Sequence, residues 1–228
     1  MPSPRVFCIQ LDSKPGLILQ HGPAGSPEIL GEWLHERGIP YEIHPVWESA
    51  PPPVEGRPFL ASLGSEQSAG PGGPFWLTHE LEAMRRAVEA GVPVLGLCFG
   101  GQTLALALGG ELERAAEPEI GWLPVESQDD SVPPGPWAQY HYEVIRLPAG
   151  ARELARTAAG PAAFRVGPHT GTQFHPEATP ERMSTWIRMA SELPPGITPQ
   201  LIDEQGARHG AGAREQARRL FDAWWASR

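Results

Sequence analysis

A short apolar run that ends on a cysteine between two glycines constrains this chain more than any other stretch of its sequence. Residues 94–97 (VLGL) lead into Cys98, and a helix is predicted over 102–108. Gly96 and Gly100 stand two residues before and two residues after the cysteine. A strand that turns sharply into a helix leaves no room for larger side chains at these two positions. The pattern predicts an α/β fold in which Cys98 occupies a strained corner between a strand and a helix.

The rest of the first half alternates short apolar runs with amphipathic stretches, which is typical of a parallel sheet with helices between its strands. The predicted order is β-α-β-β-α-β-α. Ser26 is predicted to cap the first helix, and Leu77, Leu81, Met84 and Val88 are predicted to form the apolar face of the second. The other predicted strands are 6–11, 16–20, 41–46 and 59–63, then 121–126, 140–147, 162–166 and 171–174, and the later helices are 180–190, 199–207 and 214–225.

Composition narrows the class of protein. A chain of 228 residues can form one hydrophobic core, and 40% hydrophobic residues with eight tryptophans indicate a core despite 26 glycines and 27 prolines. Cys8 and Cys98 are the two cysteines, which suits a reducing compartment. The net charge of −9 and scattered arginines argue against nucleic-acid binding. Because no run of about 18 apolar residues and no signal peptide is found, no membrane contact and a cytoplasmic location are expected.

A histidine and a glutamate two residues apart are the second chemical feature. Residues 173–177 read QFHPE, and in an extended segment His175 and Glu177 share one face while Pro176 points the other way. The carboxylate can then fix the imidazole tautomer and leave the other ring nitrogen for Cys98. Together the three side chains predict a Cys98-His175-Glu177 catalytic triad.

Four stretches in order along the chain carry a resemblance to a known family. They are residues 96–102 (GLCFGGQ), 119–122 (EIGW), 139–143 (QYHYE) and 173–177 (QFHPE). With these motifs, residues 15–190 resemble the class I glutamine amidotransferases. Within that family, they resemble the stand-alone proteins that are similar to the amidotransferase half of GMP synthase. The resemblance implies a three-layer α/β/α, flavodoxin-like fold with a mostly parallel central sheet and a small antiparallel sheet. Residues 1–228 are expected to form a single domain, in which 191–228 are a helical extension.

The resemblance also implies a reaction. Cys98 would attack the side-chain amide of glutamine, giving a γ-glutamyl thioester and ammonia, and water would resolve the thioester to glutamate. His175 would protonate the departing ammonia and activate the water, and Glu177 would orient His175. The oxyanion would need two donors, the N–H of Phe99 and one from the turn at Gly64. That turn reads LGSE where the family has Gly-Gly-Pro, so whether its donor is preorganised stays open.

Three further residues are candidates for binding the substrate. The resemblance places Gln102 against the bound glutamine and the backbone of Tyr142 at the substrate's α-carboxylate. Strand alternation puts His141 opposite Tyr142, where it either lines the site or is a satisfied polar group. The loop 64–74 beside the site is expected to be mobile. No role is predicted for His21, His35, His44, His79, His169 and His209, which lack partners at useful spacing.

The expected function is a glutamine amidotransferase that delivers ammonia to a partner. No cofactor or metal is expected, because the chain has neither zinc-ligand spacing nor a Gly-rich phosphate loop with Lys and Ser/Thr. A separate synthase subunit would therefore activate the acceptor, and a homodimer is left open. Two alternatives remain: a γ-glutamyl hydrolase that acts on larger γ-glutamyl amines, and a regulatory subunit that binds glutamine without turnover.

Overall fold

A mostly parallel sheet of eight strands forms the central layer of the protein. The structure is a computed structural model that describes residues 14–228, so the strand predicted at 6–11 and Cys8 lie outside the described residues. In chain order the elements are β1 (Gly16–Gln20), α1 (Glu28–Glu36), β2 (Tyr41–Pro45), β3 (Leu60–Ser62), α2 (Leu77–Glu89), β4 (Val94–Leu97), α3 (Phe99–Ala107), β5 (Glu111–Leu123), β6 (Glu126–Ser127), β7 (Trp137–Arg146), β8 (Arg152–Arg156), β9 (Pro161–Val166), β10 (His169–Thr172), α4 (Pro180–Met189) and α5 (Pro199–Ala226).

The order of strands across the sheet is β2-β1-β3-β4-β10-β9-β8-β6. The first five strands run parallel to one another, and β9, β8 and β6 continue the sheet in antiparallel fashion. The carboxyl ends of β1, β3, β4 and β10 therefore meet at one edge. Ligands bind at this edge in open α/β sheets.

Helices cover both faces of the sheet, because the apolar residues of its strands alternate between two cores. Ile18 packs with residues of α1 and α5, whereas its neighbours Leu17 and Leu19 pack with residues of α2 and α3. Strand side chains point alternately to opposite faces, so a run that is apolar at every position is buried on both. The expected three-layer α/β/α arrangement is confirmed.

The expected small antiparallel sheet is also confirmed. It consists of β5 and β7, whose register shifts between Arg114 and Glu119. A third core joins this sheet to α4 and to α5, and includes Ile120, Trp122 and Met183. The predicted strand 121–126 covers the end of the longer β5 and the first residue of β6, with a break between them, and β8 was not predicted. Among residues 14–228, no helix has the length and apolarity needed to cross a membrane.

The start of α1 differs from the prediction. Ser26 does not cap the helix; the carbonyl of Pro27 accepts the first helical bond, from the N–H of Gly31 at 3.0 Å. The hydroxyl of Ser26 instead donates to Glu28 and accepts a hydrogen bond from Arg182 at 2.9 Å. The side chain that would have capped α1 therefore ties it to α4.

The C-terminal helix is continuous where two shorter helices, 199–207 and 214–225, were predicted. α5 spans 28 residues and contains Gly206 and Gly210. A glycine inside a helix costs about 1 kcal/mol relative to alanine. A Cβ at Gly210 would lie 2.3 Å from the ring of Pro180 at the start of α4, so the glycines let the two helices approach closely. This packing maintains a helix that local propensity disfavours.

Candidate functional site

Cys98 lies at the corner between β4 and α3, as predicted, in a backbone conformation with φ 52° and ψ −106°. Positive φ values are rare for residues other than glycine, and such strain of about 1–3 kcal/mol concentrates at functional sites. The N–H of Cys98 donates to the carbonyl of Thr172 on β10 at 2.9 Å, and the carbonyl of Cys98 accepts a hydrogen bond from the N–H of Gln102 at 2.9 Å. The strained corner is thus held from both sides, and the thiol is buried and free.

The glycines around Cys98 are required because there is no space for a Cβ. A Cβ at Gly96 would lie 2.3 Å from the carbonyl oxygen of Gly100, and one at Gly100 would lie 2.1 Å from that of Ser62. Gly101 is equally confined, with the carbonyl oxygen of Thr172 at 2.3 Å. These are backbone atoms, which cannot move aside without shifting a strand. The steric reason given for glycine at these positions is confirmed.

His175 and Glu177 form a buried hydrogen bond of 2.8 Å between Nδ1 and Oε1. The segment that carries them is not extended, because β10 ends at Thr172 and the chain turns at Pro176. The prediction that the two side chains lie close together is confirmed, but the strand alternation given as its reason is wrong. A turn brings them together.

The electrostatics of His175 couple it to Cys98. Burial alone lowers the pKa of His175, but the Cys98 thiolate and the Glu177 carboxylate outweigh burial and raise this pKa to about 10. Glu177 is also hydrogen-bonded to the ring, at Nδ1. Since Nδ1 faces Glu177, Nε2 is the nitrogen left for the thiolate. Trp186 of α4 covers the ring at a centroid distance of 4.8 Å.

The turn after β3 lies directly against this histidine. A Cβ at Gly64 would lie 2.6 Å from Cε1 of His175, so only glycine fits there. The carbonyl of the preceding Leu63 accepts a hydrogen bond from the N–H of Gly100 at 3.0 Å. Phe99 is the first residue of α3, and the first N–H groups of a helix have no partner within the helix. Gly64 lines the same cavity as Cys98, and Phe99 follows Cys98 directly, while their role as oxyanion donors stays a prediction.

Gln102 and Gln173 connect α3 to the thiol. Gln102 Nε2 lies 3.4 Å from Gln173 Oε1, and Gln173 Nε2 lies 3.8 Å from the sulfur of Cys98. The backbone carbonyl of Tyr140 on β7 lies 3.9 Å from the same sulfur. Gln102 was predicted to face the site, whereas the contacts of Gln173 and Tyr140 were not predicted, although both lie in stretches that carry the family resemblance.

His141 and Tyr142 both line the cavity in front of Cys98. The ring nitrogens of His141 are engaged by the Glu143 carbonyl at 2.9 Å and by Glu119 Oε2 at 3.2 Å. Burial raises the pKa of Glu119, but hydrogen bonds from His141 and Thr157 outweigh burial and lower this pKa below its usual range. Both alternatives for His141 thus hold, because it lines the cavity as a satisfied polar group.

The cavity has a volume of about 660 Å³ and extends from Cys98 toward α4. Residues 64–68 form one side, where the hydroxyl of Ser68 donates to Glu143 Oε1 at 2.6 Å. Trp186 and Met189 form the outer part. Within residues 14–228, no three His, Cys, Asp or Glu side chains come together as metal ligands.

His21 is a residue that the sequence analysis missed, and the prediction that it has no partner is wrong. It follows β1 directly, lines the cavity and lies 2.7 Å from Glu80 Oε2. Glu80 is fully buried. The buried face of α2 therefore differs from the predicted apolar face and consists of Glu80, Ala83, Met84 and Ala87. A partner 59 residues away cannot be found from spacing. The position of His21 at the carboxyl end of a parallel strand was the available signal.

Comparisons with known proteins find relatives for most of this chain. Residues 34–190 match the family model described as glutamine amidotransferase class-I. The chain is 33% identical over 176 residues to the GMP synthase [glutamine-hydrolyzing] of Aeropyrum pernix, an alignment that covers 73% of this chain and 33% of that protein. The chain spans about a third of the length of the curated relatives that it matches.

Solved structures share the fold over almost the entire chain. A glutamine amido transferase from Methylobacillus flagellatus is 26% identical, with a TM-score of 0.83 over 94% of this chain and 95% of that chain. A glutamine amidotransferase from Thermotoga maritima, 24% identical, superposes with a TM-score of 0.83 over 94% of this chain and 99% of that chain. The second likeness concerns the fold alone.

Proposed function

This chain belongs to the class-I glutamine amidotransferase family, and on that premise we propose that it hydrolyses the side-chain amide of glutamine through a thioester on Cys98. The observation that carries the proposal is that the buried His175 interacts with both Glu177 and Cys98. His175 is hydrogen-bonded to Glu177 at 2.8 Å, and its pKa is raised by the charge of Cys98. A nucleophile, a base and an orienting carboxylate in this order form a catalytic triad.

The first half-reaction uses the ion pair between Cys98 and His175. The thiolate attacks the amide carbon of glutamine, and the oxygen of the tetrahedral intermediate receives hydrogen bonds from the N–H of Phe99 and from the Gly64 turn. Collapse of the intermediate breaks the carbon–nitrogen bond while His175 donates its proton to the leaving nitrogen. Ammonia and a γ-glutamyl thioester result.

The second half-reaction needs His175 as a base. Forming the thioester removes the negative charge of Cys98, which is one of the causes that hold the pKa of His175 at about 10. The pKa of His175 therefore falls once the thioester forms, and the neutral ring can take a proton from water. The hydroxide attacks the thioester carbon, glutamate leaves and the thiolate is restored. Glu177 orients the ring throughout.

Ammonia from this site is proposed to pass to a separate synthase subunit. The relatives named GMP synthase are about three times as long as the stretch that this chain matches.

In this proposal Gln102 and Tyr142, which line the cavity, hold the amino and carboxyl groups of glutamine.

A second candidate, a γ-glutamyl hydrolase, is favoured by the size of the cavity. Cavities of about 300–1,000 Å³ accommodate drug-sized ligands, and the 660 Å³ here leave room beyond a glutamine. The additional space lies toward Trp186 and Met189, where the amine of a larger γ-glutamyl amide would lie.

One set of assays separates these functions. Glutamate release is measured with glutamine and with γ-glutamyl amines of increasing size, for the wild type and for Cys98→Ala. We expect release from glutamine that is abolished by the substitution. A higher kcat/KM for the larger amides would favour the hydrolase, and binding of glutamine without release would favour a regulatory subunit.

A further inference from the structure

Glu80 is a fully buried carboxylate that has no part in the proposed reaction. It lies behind the Gly64 turn. Its Oε1 accepts hydrogen bonds from Ser62 at 2.7 Å and from Thr103 at 3.0 Å, and its Oε2 lies 2.7 Å from His21 Nε2. Burying a carboxylate is costly unless it is paired and hydrogen-bonded. The residue therefore joins α2 to β3, to α3 and to His21, and each of its two oxygens has a hydrogen-bond partner.

His21 has both ring nitrogens engaged. Nδ1 lies 3.2 Å from the carbonyl oxygen of Gly64, and because a carbonyl oxygen only accepts, Nδ1 carries a hydrogen and donates it. Nε2 and the Glu80 carboxylate share one further proton. The ring stacks on Trp76 at 5.0 Å and lies against Phe99 at 4.9 Å, with its side chain fully buried. The imidazole therefore has one orientation.

Hydrogen bonds anchor the peptide groups on both sides of Gly64. The N–H of Gly100 donates to the carbonyl of Leu63 at 3.0 Å, and His21 donates to the carbonyl of Gly64. In a trans peptide the N–H points away from the carbonyl of the same plane. The first bond thus sets the direction of the Gly64 N–H, and the second sets that of the Ser65 N–H.

We propose that His21, held by Glu80, is a positioning residue that keeps the Gly64 turn in the conformation that donates to the substrate oxyanion. The inference rests on the proposed function. Ser65 has no ring to restrict the turn, and the hydrogen bond from His21 supplies that restriction. A donor that is preorganised needs no rearrangement when the charge develops. The same ring also packs against the side chain of Phe99, the residue whose N–H is the other proposed donor.

Two substitutions of His21 separate its two hydrogen bonds. The amide of asparagine reaches the position of Nδ1 and can still donate to Gly64, whereas the amide of glutamine reaches the position of Nε2 and cannot. Both remove the ring, so the loss of stacking is matched. His21→Asn and His21→Gln are made in a Glu80→Gln background, which leaves no buried carboxylate unpaired. Glu80→Gln alone can donate to Nε2 of His21 and keep the Nδ1 hydrogen on Gly64.

Steady-state glutamate release gives the first measurement. We expect His21→Gln to lower kcat by about 10- to 100-fold with KM nearly unchanged, because a misplaced oxyanion donor affects the transition state alone. His21→Asn and Glu80→Gln should stay within about threefold of the wild type. Alkylation of Cys98 by iodoacetamide requires a thiolate but no oxyanion donor, so its rate should be the same in all variants.

Hydrogen exchange of the 63–66 backbone tests the same inference without turnover. The lost hydrogen bond should make exchange about tenfold faster in His21→Gln than in His21→Asn. A wild type that releases no glutamate from any γ-glutamyl compound refutes the proposed function, and exchange then decides the role of His21. Equal kcat values or equal exchange rates in the two variants overturn the inference.

Discussion

Replacing Gly64 by alanine should disable the site while leaving the protein folded. The new Cβ would lie 2.6 Å from Cε1 and 3.2 Å from Nδ1 of His175. Carbon atoms pack at about 3.5–4.0 Å, so the ring has to move by roughly 0.9 Å. It cannot yield freely, because Glu177 holds Nδ1 at 2.8 Å and Trp186 covers the ring at 4.8 Å.

The expected loss of activity follows from that displacement of the His175 ring. A misplacement of about 1 Å at a reacting group can cost about 100-fold in rate, so kcat for glutamate release by Gly64→Ala should fall by roughly that factor. Gly212→Ala is the matched control, because a Cβ there meets nothing within 4 Å. Glutamate release and thermal unfolding are measured for both variants. A Gly64→Ala protein with the kcat of the wild type would refute the reasoning.

Three other outcomes are expected. The folded state raises the pKa of His175 from 6.5 to about 10. The contribution of the protonated ring to the stability of the fold is therefore complete below pH 6.5 and is lost as the pH rises through 10. The thermal midpoint should fall more steeply from pH 7 to 10 in the wild type than in His175→Gln. Gly210→Ala should destabilise the protein by about 1–3 kcal/mol in urea unfolding, because its Cβ would overlap Pro180. Ser68→Ala removes the 2.6 Å bond to Glu143 that joins the loop to β7, and should raise KM a few-fold with kcat little changed; an unchanged KM would contradict a role for this contact in closing the cavity.

The parts of the site that could be predicted from sequence are those in which neighbours in the chain are neighbours in space. The strained corner at Cys98 follows from glycines two residues away, and the pairing of His175 with Glu177 follows from a separation of two residues. Both features depend on local geometry. The turn that brings His175 to Glu177 was read as extended backbone, so the pairing was found although its conformation was not.

The parts that could not be predicted depend on contacts across the sheet. His21 and Glu80 are 59 residues apart, and a glutamate on the buried face of α2 contradicts the apolar pattern from which that helix was assigned. The continuity of α5 is similar, since Gly206 and Gly210 disfavour a helix locally and Pro180 compensates through packing. In each case a tertiary contact overrides a local preference.

The formation of a γ-glutamyl thioester on Cys98 tests the central claim most directly. The protein is mixed with glutamine, quenched in acid during turnover, digested and analysed by mass spectrometry of the peptide that contains Cys98. The mechanism predicts a γ-glutamyl group on that cysteine in the wild type, and neither the group nor glutamate release in Cys98→Ala. Glutamate release that continues at the wild-type rate in Cys98→Ala would contradict it.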